Sequence, residues 1–289
     1  YGDVAVQDDT QFVYGDVSGQ VTKETTKLTK NKDVVKNYTY DSNGNKSTFS
    51  VKAGEDTKLS LSYEYDGSSR LISVKDSEGN QAVSYAYDTE GSLSERQAAN
   101  GLKTTYGYDY QNRLTSMTNE TGKGVVSKYS STYLKNGQKA EEVSTVMDKN
   151  GNQLAAVNRS EIPAEAKDTS YIDVDVTLGD NQLNDNVVNH YNALNQLTET
   201  LTKNYKVSFT YDAEGLRTGK TVNGEKTIYV WDGDQVVMEL SKGGAVQKRY
   251  IRGNDLVYAD KGENTEKTYY VTDMHGNCLL YTSDAADEA

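Results

Sequence analysis

Tyr63–Leu71 reads YEYDGSSRL, Tyr85–Leu93 reads YAYDTEGSL and Tyr106–Leu114 reads YGYDYQNRL. One phrase is written three times. Its tyrosines sit two apart (Tyr63 and Tyr65, Tyr85 and Tyr87, Tyr106 and Tyr108), so each pair in an extended strand projects from one face. An Asp follows every time: Asp66, Asp88 and Asp109. Asp at the first corner of a type I turn accepts hydrogen bonds from its own backbone. Gly three residues later supplies the left-handed position that closes the hairpin. Asp88 with Gly91 and Asp212 with Gly215 follow that rule, and the Leu after the turn (Leu71, Leu93, Leu114) opens the returning strand. Each phrase is therefore strand, tight turn, strand.

Working outward, the spacing marks a repeat. Tyr40, Tyr65, Tyr87 and Tyr108 step by 25, 22 and 21 residues, and Tyr191, Tyr211 and Trp231 by 20 and 20. Between these turns lies a second set of turn signals: Gly79-Asn80, Asn100-Gly101, Asn223-Gly224 and Gly243-Gly244. Alternating strands broken so regularly predict an all-β fold, a repetitive antiparallel hairpin meander.

Regularity divides the 289 residues. Residues 1–37 are strand-rich but degenerate, with a degraded turn at Tyr14–Gly19 and a polar alternating run, VTKETTKLTK, at Val21–Lys30. Residues 38–117 are regular repeats. Residues 118–189 blur, although Asn136-Gly137 and Asp148–Asn152 mark turns. Within them, Ser160–Asp168, which holds the single proline Pro163, reads as an inserted loop or one helical turn, and Tyr171–Leu178 as a strand. Residues 190–277 resume the phrase, first with Asn192, Asn195 and Gln196 in place of Asp, Gly and Arg.

Composition fits a ribbon. Tyrosine occurs 23 times against 3 Phe and 1 Trp. Its apolar ring and polar tip suit a sheet packed along its middle and wet at its margins, and rows of Tyr pairs are expected to stand in for a dense aliphatic core. A net charge of −12 argues against nucleic acid or an anionic membrane surface as partner. No apolar run has the length of a membrane span. One Cys rules out a disulfide framework. The chain opens at Tyr1 without an initiator Met or a signal-peptide pattern, and a piece of a longer protein is expected.

These residues resemble the YD-repeat, or Rhs (rearrangement hot spot), family, which is similar to bacterial wall-associated proteins, toxin-complex shells and animal teneurins. Five Tyr-Asp turns, at Tyr40, Tyr65, Tyr87, Tyr108 and Tyr211, and the variant Trp231-Asp232 carry the resemblance, over residues 38–277. Tyr211–Asn277 resembles the start of the Rhs-associated core. The resemblance implies a long β-ribbon, part of a curved shell that encloses or presents a C-terminal toxin domain. The family's DPxGxxG-type self-cleavage motif is not found. DMHGN at Asp273–Asn277 is followed by CLLYTSDAADE in place of another strand and turn. That tail resembles an in-frame translation of a sequencing adapter, so residues 278–289 are expected to be an artefact.

The polar residues read as structural. Nearly every conspicuous Asp holds the turn position after Tyr, so a facing carboxylate pair for glycoside hydrolysis is not expected. Asp41–Asn45 (DSNGN) and Asp148–Asn152 (DKNGN) place Gly fourth and have no Glu at the twelfth position, unlike a calcium loop. His190 and His275 are too far apart for a cluster or triad. No catalytic, cofactor-binding or metal-binding residues are assigned, and no cofactor. The expected function is a non-enzymatic structural segment of a large secreted or cell-surface protein, its partner the remainder of its own polypeptide. The alternative is an adhesion module that binds cell-wall or host glycans through exposed Tyr and Asp.

Overall fold

The computed structural model describes residues 10–16, 19–29, 32–147, 153–160, 187–262 and 265–283. Among them there is no helix, and the strands lie in two open antiparallel sheets in strict chain order. The first sheet contains β1 (Thr10–Tyr14), β2 (Val21–Thr29), β3 (Lys32–Tyr40), β4 (Lys46–Ala53), β5 (Asp56–Tyr65), β6 (Leu71–Lys75) and β7 (Gln81–Tyr87). It continues with β8 (Leu93–Ala98), β9 (Lys103–Tyr108), β10 (Leu114–Thr121), β11 (Gly124–Tyr133), β12 (Lys139–Met147) and β13 (Gln153–Ser160). The second contains β14 (Val188–Tyr191), β15 (Leu197–Leu201), β16 (Lys206–Tyr211), β17 (Arg217–Val222) and β18 (Glu225–Asp232). It ends with β19 (Gln235–Ser241), β20 (Val246–Arg252), β21 (Leu256–Asp260), β22 (Thr268–Thr272) and β23 (Cys278–Ser283). The hairpin meander read from the repeats is the observed architecture.

The phrase builds its turn as expected, with one correction. Asp66 N–H donates to the Arg70 carbonyl and Ser69 N–H to the Asp66 carbonyl, both at 3.0 Å. The same pair closes the turns at Asp41, Asp88, Asp109, Asn192, Asp212 and Asp273. The left-handed residue is always the third after the Asp or Asn, but it need not be Gly. Ser69 (φ 61°), Asn112 (61°) and Asn195 (60°) hold the position that Gly91 (92°) and Gly215 (90°) hold elsewhere. The hydrogen bonds that surround this position outweigh the preference of a single residue for φ < 0. The second set of turns follows its signals too: Asn223-Gly224 forms a two-residue loop with both φ positive, the type I′ geometry that matches strand twist. The expected turn at Asp148–Asn152, the loop over Ser160–Asp168 beyond Ser160 itself, and the strand at Tyr171–Leu178 lie outside the described residues.

Two compact units emerge: Tyr1–Lys103 with Phe209–Ala289, and Thr104–Ser208. In the first unit a layer formed by β3 to β8 faces one formed by β17 to β22. Between them lies a dense aliphatic core, contrary to expectation. Phe49, Val51, Leu59, Val74 and Val83 are buried on one side, Met238, Leu240, Ile251, Val257 and Val271 on the other. Period-two alternation of small aliphatics within polar strands fills the space between the layers, each full burial contributing about 1.5–3 kcal/mol. Tyrosine borders this core: the rings of Tyr38 and Phe49, and of Tyr258 and Tyr269, meet at 5.2 Å.

In the second unit the buried side chains include a polar row. Thr104 donates to Asn119 Oδ1 at 2.7 Å, and Asn119 Nδ2 donates to Ser127 at 2.8 Å. Large apolar side chains are exposed at its hairpin tips, Tyr110 at 92 % and Leu194 at 73 %.

A strand stands where the sequence reading expected none, which leaves the adapter resemblance of the tail untested. Cys278–Ser283 is a strand, β23, with Tyr270 opposite Tyr281 and Val271 opposite Leu280. The Asp273 turn closes as the other phrases do, Asn277 N–H donating to Asp273 Oδ1 at 2.8 Å, and so directs the next residues back along β22.

Candidate functional site

The repeated residues divide into three roles. Asp caps: Asp66 Oδ1 accepts Ser68 N–H at 2.9 Å and Arg70 N–H at 3.0 Å, while Oδ2 accepts Arg70 Nε at 2.7 Å. Those bonds, from the Arg70 backbone first, hold the Asp66 carboxyl below its ordinary range, and Asp109 is held down by Arg113, by its side chain first and then its backbone. The calcium candidate Asp41 is likewise engaged, with Asn43 N–H and Asn45 N–H at 2.9 Å and Asn45 Nδ2 at 2.9 Å.

The second tyrosine stitches one hairpin to the last. Tyr40 donates to the Val21 carbonyl at 2.7 Å, Tyr65 to Lys46 at 3.0 Å, Tyr87 to Leu71 at 2.8 Å and Tyr133 to Leu114 at 2.8 Å. Each acceptor is the first residue of the preceding strand. Trp231 substitutes for Tyr here, Nε1 donating to the Arg217 carbonyl at 3.0 Å. The Arg after the turn adds a stacked cation, Arg70 over Tyr87 and Arg113 over Tyr133, both at 4.5 Å. A register shift lies just before the second tyrosine (Glu64/Tyr65, Ala86/Tyr87), which separates its environment from that of the first. The first tyrosine packs inward, so Tyr38, Tyr63 and Tyr85 have their hydroxyl pKa pushed up, chiefly by burial.

Between the two layers of the first unit runs a seam of charged contacts. Lys46 Nζ lies 2.5 Å from Asp232 Oδ2, with the Phe49 ring at 5.2 Å and the Tyr63 ring at 5.4 Å. Lys36 Nζ donates to the Trp231 carbonyl at 2.7 Å and pairs with Glu24 at 2.5 Å. Arg96, only 3 % exposed, donates Nε to Asp255 Oδ1 at 3.0 Å. Arg249 forms a two-point pair with Asp260, at 2.7 and 2.9 Å, and reaches the Lys58 carbonyl at 3.0 Å. Beside that pair a polar cleft of about 160 Å³ opens, lined by Leu59, Asp76, Glu78, Arg249, Tyr258 and Lys267.

The structure does not bring the two histidines together. His190 lies on β14, 3.9 Å from Glu199, and His275 lies in the Asp273 turn. Among the described residues no group of three His, Cys, Asp or Glu is placed to hold a metal ion. No described helix is long and apolar enough to cross a membrane. Sequence reading missed the seam. Its available signals were charged residues at inward strand positions, Lys36 and Arg96, and the shortened turn after Trp231-Asp232.

Repeated Asp-capped hairpins stitched by Tyr make a β-ribbon of the YD-repeat kind, and the comparisons are consistent with the YD-repeat (Rhs) family. Residues 6–124 match the teneurin YD-shell family. The tRNA3(Ser)-specific nuclease WapA of Bacillus spizizenii is 29 % identical over 309 aligned positions, which take in 86 % of this chain and 12 % of that protein. The chain thus spans about an eighth of that relative's length. Among solved structures, TcdB2-TccC3-Cdc42 aligns at 14 % identity and a TM-score of 0.26, over 96 % of this chain and 18 % of that one. A porin-like protein from Bacteroides uniformis aligns at 11 % identity and 0.26, over 80 % and 92 %.

Proposed function

We propose that this chain is a non-enzymatic wall segment of a larger secreted or cell-surface protein, a β-ribbon that helps to enclose or present a domain carried elsewhere in the same polypeptide. The observation that carries this reading is the engagement of the repeated residues. The Asp carboxylates cap their own turns, and the second Tyr hydroxyls stitch hairpins together. Such residues contribute order along a ribbon and leave little free chemistry. The teneurin YD-shell match supports a wall role, and the small share of the nuclease covered supports placing that activity in other parts of the relative.

The test compares this chain with a longer polypeptide that contains it. Incubated with tRNA, with DNA and with polysaccharide, the chain alone is expected to turn over none of them. Turnover by the purified chain, lost on disrupting a set of its own residues, would overturn the reading.

The glycan-binding alternative is favoured by one feature, the exposed ring of Tyr110 at a hairpin tip. Binding on a glycan array that disappears in Tyr110→Ala would establish it, whereas no binding to any glycan removes it.

A further inference from the structure

Two turns of the second layer stand where the Tyr-Asp turns fall in the repeat but lack their five-residue, Asp-capped form. Asp232 stands opposite Gln235, leaving the two-residue loop Gly233-Asp234. Arg252 stands opposite Leu256, leaving the three residues Gly253–Asp255. Where five residues separate the strands, as at Asp66–Arg70, loop amides capture the Asp carboxylate. Asp232 instead ends strand β18, and the Asp255 carboxylate also leaves its own loop. Both reach the other layer.

We infer that Trp231–Gln235 and Arg252–Leu256 are docking turns, shortened phrases whose freed Asp recognises the rim of another YD ribbon. In this chain that ribbon is its own first layer. The fit is specific at both places. Asp232 meets Lys46 at 2.5 Å, the same Nζ standing 6.0 Å from the centre of the Tyr38 ring, while the Trp231 carbonyl takes Lys36 at 2.7 Å. Asp255 Oδ1 takes Arg96 Nε at 3.0 Å and the Tyr85 hydroxyl at 3.3 Å. Asn254 N–H donates to the Tyr85 oxygen at 3.0 Å, and its side-chain amide donates to Tyr87 at 3.3 Å. A Cβ at Gly253 would stand 2.2 Å from the Tyr85 oxygen, so the backbone itself makes the approach.

The receiving groups belong to the same grammar. Lys46 is the residue that follows the Asp41 turn, and Tyr38, Tyr85 and Tyr87 are phrase tyrosines. Trp231 still stitches its hairpin to Arg217, so the ribbon is not interrupted where it docks. The partner that this rim fits is therefore a ribbon with a Lys or Arg beside paired Tyr. Aliphatic packing drives the layers together without direction, and the charged contacts select their alignment. This inference concerns how layers join and does not depend on what the wall encloses.

The experiment uses the full chain. A zero-length carbodiimide reagent should join Lys46 to Asp232 in the monomer fraction, with Lys75–Glu64, at 2.5 Å within one layer, as the positive control. Linkage of the control pair without the Lys46–Asp232 pair overturns the proposal. Next, hydrogen exchange of Asp232→Asn with Asp255→Asn is compared with that of Asp66→Asn. The first should raise exchange roughly tenfold in residues 33–61 and 228–260, whereas the second should act on its own turn. Equal effects, or none, overturn the docking assignment. The swap Lys46→Asp with Asp232→Lys should recover protection lost in either single change; failure to recover it counts against the pairing.

Discussion

Tyr65 donates its hydroxyl to the main-chain carbonyl of Lys46 across 3.0 Å. The contact joins the end of one hairpin strand to the start of the previous one, and it recurs at Tyr40, Tyr87 and Tyr133. Tyr65→Phe keeps the ring and removes one bond. It should lower stability by about 0.5–1.5 kcal/mol, read from a shift in the urea midpoint at constant slope. No shift would mean that the hydroxyl is satisfied equally well by water.

The left-handed turn positions make a sharper test. Gly91 and Gly215 have φ of 92° and 90°, which a β-branched residue tolerates poorly. Gly91→Val and Gly215→Val should each lose about 1–2 kcal/mol, measured by thermal unfolding, and Gly91→Asn should lose less. Asn takes the equivalent place at Asn112 and Asn195. If Val and Asn behaved alike, backbone conformation would not be the limiting factor.

Asp260 and Arg249 form the most deeply buried ion pair of the seam, with side chains 1 % and 8 % exposed. Asp260→Asn leaves a buried guanidinium without its counter-charge, and should lower stability by about 3–5 kcal/mol. Replacing both, Arg249→Met with Asp260→Leu, should restore much of it. A single substitution that leaves the chemical denaturation curve unchanged would argue that the pair is solvated.

Two pH limits follow from opposite shifts. The carboxyls of Asp66 and Asp109 are held below the ordinary 3.8. Their contribution is complete above that value and declines as pH falls through the lowered one. The hydroxyls of Tyr38, Tyr63, Tyr85 and Tyr258 are pushed above the ordinary 10, burial being the main cause. Their contribution is complete below 10 and is lost as pH rises beyond it. Circular dichroism should report a plateau bounded on both sides. Tyrosinate absorbance should show the buried group ionising together with unfolding, and smooth ionisation of all tyrosines in a folded chain would refute this.

Much was legible because the information is local. The Asp side chain reaches amides two and four residues ahead, so the phrase DxxG or DxxN carries its own closure, and alternation then assigns the strands. Ser69 escaped because the rule was tied to Gly, whereas the geometry is set by distance from Asp66 and admits Ser or Asn at the third residue. The aliphatic core escaped because Val51, Leu59 and Val74 are scattered singly among polar neighbours, and nothing nearby says what faces them.

The sequence by itself determined the hairpins, their antiparallel order, the capping role of Asp and the likeness to YD repeats, since each depends on residues within a few positions or on one repeated spacing. Only the tertiary structure decided that Lys46 meets Asp232, that Arg96 meets Asp255 and that Arg249 reaches Lys58. These partners stand 159 to 191 residues apart, so no local period relates them. Their meeting depends on how two ribbons align face to face, a choice made by packing and by the length of two turns.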